Sequence, residues 1–193
     1  MIEFALVISF AMPLLLCTFE LGMTLSRSIQ VRTVNRDAGA MFVRNIDFSL
    51  PGNQTILVRL AKGLGITLTG GNGVVILSQV MYIGNNECLA GGLQPGPGDC
   101  PNYNQYVFVK RFLVGNAALR SSAFGTPSAS VIASDGSIGS QNYLTDPTCV
   151  AAGFGNLLTL NPGEVSYVSE TFQISTGFTM PGMSSGTYTR NFF

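Results

Sequence analysis

Hydrophobic and polar positions fall into three successive textures along the chain. From Phe4 to Phe19 no side chain is charged and only Ser9 and Thr18 carry a hydroxyl; on to Ser26 the run is interrupted by Glu20 alone, and Glu3 stands at its other end. At 1.5 Å per residue this stretch gives about 35 Å of helix, enough to cross a bilayer core of about 30 Å. Pro13 lies inside it, where it removes a backbone donor and crowds the preceding turn. A kink or a locally melted stretch is expected there, set against the tolerance of membrane helices for proline.

From Arg27 to about Asn45 the helical pattern continues in another style. Val31, Val34, Ala38, Met41 and Phe42 recur at three- and four-residue steps, with Ser28, Arg32, Asn35 and Arg36 assigned to a polar face. One long helix over residues 1–46 is therefore predicted, its first half in lipid or protein and its second half packed on a head domain formed by residues 47–193. "LPG" at Leu50 to Gly52 is read as the stop of that helix. Asn53 is expected to cap a short second helix, near 53–64, in which Ile56, Leu57, Leu60 and Leu64 share a face. After "GGNG" the texture becomes β, with strands predicted at 74–83, 106–114, 128–133, 164–174 and 186–192, separated by Gly, Pro, Asn and Asp clusters. Residues 117–160 read as surface loops with short strands. The fold class expected is α+β: a long N-terminal helix followed by a β-rich antiparallel head.

Composition narrows the chemistry. Charged residues make up 10% of the chain, ten basic against ten acidic. Soluble domains usually carry about 25%. This balance does not favour a nucleic-acid partner. Histidine is absent, which removes the commonest general base and the commonest transition-metal ligand. No catalytic residue, metal site or cofactor is assigned. The glycine clusters "GLGITLTGGNG" and "GFGNLL" lack the Lys-Ser/Thr ending of a phosphate loop and read as turns. Asp99, Asp135 and Asp146 lack calcium-loop spacing and read as solvated turn carboxylates.

Of the four cysteines, Cys17 lies in the apolar run. Cys88 and Cys100 bracket "CLAGGLQPGPGDC", whose closure would stabilise the fold by about 3 kcal/mol in the chain-entropy account. That pair is the expected disulfide and points to an oxidising compartment; pairing of either with Cys149 stays open.

The two glutamates carry the remaining signal. A charge at the centre of a membrane helix costs about 2.5–3.5 kcal/mol on insertion scales, which asks for a partner. Glu20 has Arg27 seven residues on, on the same helical face, for a contact between neighbouring helices; the plainer reading has Glu20 mark the headgroup boundary. Glu3 has no basic residue near it in the sequence. An α-amino group, its own or another copy's, is its natural partner.

With Glu3, Phe4, Ala5, Leu6, Val7, Leu14 to Leu16, Glu20, Leu21, Gly22 and Arg27 in place, the first 45 or so residues resemble TadE-like pilins and pseudopilins within the type IV pilin group. The resemblance implies a prepilin held in the inner membrane by this helix, cleaved by a prepilin peptidase and polymerised by a pilus assembly machinery into an extracellular filament. It also implies that Glu3 neutralises the N-terminal amine of a neighbouring copy, though Glu3 lies closer to Met1 than that pattern places it. Assembly would then rest on Glu3, Phe4, Pro13, Glu20 and Arg27, and the partner would be further copies of the same chain. The expected function is a structural filament subunit, with a minor or initiating pseudopilin, or a membrane-anchored monomeric binding module, as rivals.

Overall fold

The computed structural model describes residues 2–174 and 186–193, with side chains from Val7 onward. The chain is α+β. A single helix, α1 (Ile2–Val43), is followed by α2 (Pro51–Leu60), β1 (Gly73–Tyr82), α3 (Asn85–Ala90), β2 (Tyr106–Gly115), α4 (Ser140–Thr145), β3 (Val165–Ile174) and β4 (Gly186–Phe192). The four strands form one antiparallel sheet in the order β2-β1-β3-β4.

Helix α1 continues through Pro13 without a break, so the locally melted stretch anticipated there is not found. One missing donor in a 42-residue helix leaves the turns on either side intact. The helix stops before the Leu-Pro-Gly segment, because Asn45 adopts a left-handed conformation (φ 58°). The Asn45 N–H donates to the Phe42 carbonyl (3.0 Å) and the Ile46 N–H to the Met41 carbonyl (3.2 Å), a Schellman ending that uses asparagine in place of glycine. Asn53 does not cap α2: Pro51 supplies the first helical residue, Leu50 takes the cap position, and the Asn53 side chain donates back to the Asp47 carbonyl at 2.7 Å.

The second half of α1 lies on one face of the sheet, over β3 and β4 and reaching β1. Val31, Val34, Ala38 and Phe42 pack there with Phe48, Leu57, Leu64, Val75, Leu77 and Phe112. Gly39 lets the helix approach β4's end, since a Cβ at that position would run into the Phe193 ring. A bulge in the β1–β2 pairing between Gln79 and Val80 switches the parity of β2. Phe112 and Val114 therefore join the helix side, while Phe108 joins Val80, Phe124, Phe154 and Val168 on the opposite side.

That opposite face is covered by the long connection between β2 and β3. The connection is built from turns, α4 and isolated bridges, and the strand anticipated at 128–133 is absent. Its place is taken by a 3-10 turn at Ala129–Val131 and a single bridge from Ile132 to Ile138, because a turn at Asp135 and Gly136 (φ 74°) folds the segment back at once. Cys88 and Cys100 are bonded to each other and sit in a third apolar cluster with Ile83, Val107 and Leu144; Cys149 is a buried free thiol.

Candidate assembly surface

From Val7 to Ile29, no described residue of α1 is buried. Val7, Phe10, Leu14, Leu16, Phe19 and Leu25 are each 60% or more exposed, a contiguous apolar surface of the kind that marks a protein or membrane contact. The span Val7–Val43 includes an apolar window long enough to cross a membrane, and none of that window is buried against the head. The helix thus has two halves with different surroundings. From Val7 to Ile29 its large apolar side chains are exposed, and from Val31 onward an apolar stripe is sealed against the sheet.

The sequence-derived site residues divide accordingly. The side chains of Glu3 and Phe4 lie outside the described residues. Pro13 sits in the exposed half. Glu20 is partly covered, and its backbone carbonyl accepts a hydrogen bond from the Thr24 hydroxyl at 2.9 Å. Arg27 is also partly covered, but the ion pair seen among the described residues is Arg36 with Asp37 at 3.9 Å, not Glu20 with Arg27. Seven residues of separation place two side chains on the same stripe but about 10 Å apart along the axis, so within one copy they do not meet.

Where the bare half of α1 gives way to the docked half, a groove of about 340 Å³ opens between α1 and the α2 segment. Ile29, Gln30 and Val34 line one wall; Leu60, Gly63 and Leu64 line the other. Leu25, Ile29, Ile56 and Leu60 are exposed beside it, so its apolar surface runs on into that of the bare helix.

Two buried polar clusters were not apparent from the sequence. On the helix side, Asn35 is fully buried rather than on a polar face. Its Oδ1 accepts from the hydroxyls of Ser169 (2.7 Å) and Thr171 (3.0 Å), and Ser169 also reaches the Asn35 backbone carbonyl at 2.8 Å. The alternation of β3 brings these two hydroxyls to the helix, a signal that no pattern within α1 carries.

On the other side, the buried carboxylate of Glu170 accepts hydrogen bonds from the Ser122 hydroxyl, the Ala123 N–H and the Tyr188 hydroxyl. Three guanidinium groups surround this region. Arg111 donates to the Gly125 carbonyl (3.0 Å) and stacks on Phe108; Arg120 lies 4.0 Å over the Tyr188 ring; Arg190 lies 4.7 Å over Phe124. Burial pulls the Arg111 guanidinium down to about 10, against the nearby Glu170 charge, so it stays cationic at neutral pH. Burial and the Glu170 carboxylate together hold the Tyr188 phenol well above its ordinary value. These contacts clamp the covering connection onto β3 and β4.

Among the described residues no cluster of His, Cys, Asp or Glu is placed to hold a metal ion. Asp135 accepts from both the N–H and the hydroxyl of Ser137, and Asp146 from the Thr148 N–H, the behaviour of turn carboxylates. Comparison of the chain with protein-family models, curated proteins and solved structures gives no match.

Proposed function

We propose that this protein is a structural subunit of an extracellular type IV pilus-like filament that polymerises with copies of itself through the N-terminal half of α1. The observation that carries the reading is the division of one unbroken helix into a bare apolar half and a half docked on a stable head. Before assembly, lipid is a fitting solvent for the bare half, and the chain would reside in the inner membrane. In a filament surrounded by water, sister helices must replace the lipid, with about 25 cal/mol favouring each Å² of apolar surface they cover. The exported, oxidising setting agrees with the Cys88–Cys100 disulfide. The resemblance of residues 1–45 to TadE-like pilins adds the role of Glu3 as the charge that registers one copy against the next amine.

Glu3→Ala is the direct test. It should abolish the filament protein sheared from producing cells while leaving the amount in the membrane fraction unchanged. Equal sheared yield from the variant would remove Glu3 from assembly. Protein of either kind found only in detergent-extracted membranes would favour a monomeric anchored module.

A further inference from the structure

The groove between α1 and α2 lies outside any role the helix has as a membrane span. It is apolar, open, and continuous with the exposed side chains Leu25, Ile29, Ile56 and Leu60. Its charges are one-sided. Arg27 precedes Gln30 by about one turn on α1, exposed Arg59 and Lys62 stand next in sequence to the lining residues Leu60 and Gly63, and no Asp or Glu occurs in residues 21–36 or 48–86. The bare half of α1 is one-sided in the opposite sense: residues 2–26 carry Glu3 and Glu20 and no cation.

We infer that this groove seats the bare half-helix of a second copy of the same chain, bringing that copy's Glu20 to the basic rim formed by Arg27, Arg59 and Lys62. The inference rests on the filament reading and specifies its contact. Three observations select this occupant. First, an apolar helix with uncovered sides needs an apolar seat, and helices pack with axes about 8–10 Å apart, which requires a wall free of bulk. Gly63 provides that wall: a Cβ there would already approach the Gln30 Oε1 to 2.9 Å. Second, Glu20 makes no ion pair within its own chain among the described residues, and the two segments that flank the groove carry Arg27, Arg59 and Lys62 and no carboxylate. Third, the groove begins where α1 stops being bare, so the exposed apolar side chains Leu25, Ile29 and Leu60 lead from the bare stretch to the groove.

The test uses full-length protein assembled from an equal mixture of ¹⁵N-labelled and unlabelled copies carrying a photo-crosslinking benzophenone residue at Leu60, with a control at Leu157, exposed in the connection between β2 and β3. No Lys or Arg precedes Arg27, so trypsin releases the whole bare half as one peptide ending at Arg27. Position 60 should give mixed-isotope crosslinks to that peptide at least about tenfold above position 157, a ratio worth about 1.4 kcal/mol of preferential contact. Filaments whose position-60 crosslinks fall on other peptides, on lipid, or within one copy would overturn the groove assignment and leave polymerisation standing. A chain that never polymerises would overturn both. In parallel, Gly63→Phe fills the groove; sheared filament yield should fall about tenfold while the Cys88–Cys100 bond still forms. Full yield from that variant would also overturn the inference.

Discussion

Cys149 shows how a single side chain can report the state of the fold. It is buried beside Phe108 and Phe154 in the layer that covers the sheet, and burial, aided by the Asp146 carboxylate, pushes its thiol up to about 11 from the ordinary 9.0. The neutral thiol is thus favoured more in the folded state than in the unfolded one. Its contribution to stability is complete below about pH 9 and is lost as pH rises towards 11, because the unfolded chain ionises first. Arg111, whose guanidinium is lowered by burial, works in the opposite sense above about pH 10, and Tyr188 in the same sense as the thiol. Comparison with Cys149→Ala isolates the thiol. Denaturation midpoints of the parent should decline relative to those of the variant between pH 9 and 11, and a disulfide reagent at pH 8 should leave Cys149 unmodified until the head unfolds. Rapid modification of the native protein would show the thiol to be accessible.

At the scale of elements, the seam between α1 and the sheet is keyed by polarity as well as by apolar packing. Val31, Val34, Ala38 and Phe42 would tolerate small slides of the helix along β3, whereas Asn35 meets Ser169 and Thr171 in one register only. Asn35→Ala leaves the Thr171 hydroxyl buried without its partner and Ser169 with only the backbone carbonyl, a loss of about 1–3 kcal/mol. Adding Thr171→Val removes the stranded hydroxyl and should recover part of that loss, so urea unfolding of the two single variants and the double variant should give a non-additive cycle. Simple additivity would mean that the hydroxyl finds another partner.

The same seam separates what was legible in the sequence from what was not. The apolar stripe of α1, four of the strands and the cysteine pair each leave a local signature in spacing or periodicity. Asn35, by contrast, lies among arginines in the sequence and is read as surface, because its burial is decided by hydroxyls more than a hundred residues away. Residues 128–133 looked like a strand because Val131 and Ile132 are β-formers, but a lone bridge inside a tight fold-back does not extend into a ladder. Glu170 and its arginines were equally hidden, since they meet only where β2, β3, β4 and the covering connection come together. The groove was hidden too, because it exists only between two elements that the chain brings side by side.

For the whole molecule, one helix serves two environments, and substitutions in its two halves should therefore have separable effects. Leu15 is exposed in the bare half, away from the head. Leu15→Lys places a charge in the bare apolar half, which would cost about 2.5–3.5 kcal/mol on membrane-insertion scales, yet removes no contact with the sheet. Phe42 is buried among Phe48, Phe112 and Tyr167, and Phe42→Ala should destabilise the head by about 3–5 kcal/mol through the cavity it leaves. Thermal unfolding in detergent should therefore give an unchanged midpoint for Leu15→Lys and a much lower one for Phe42→Ala. Membrane fractionation should give the reverse order, with Leu15→Lys poorly retained. A head destabilised by Leu15→Lys would mean that the bare half folds back onto the domain in solution. The two-solvent account of the helix, and the filament built on it, would then lose its structural basis.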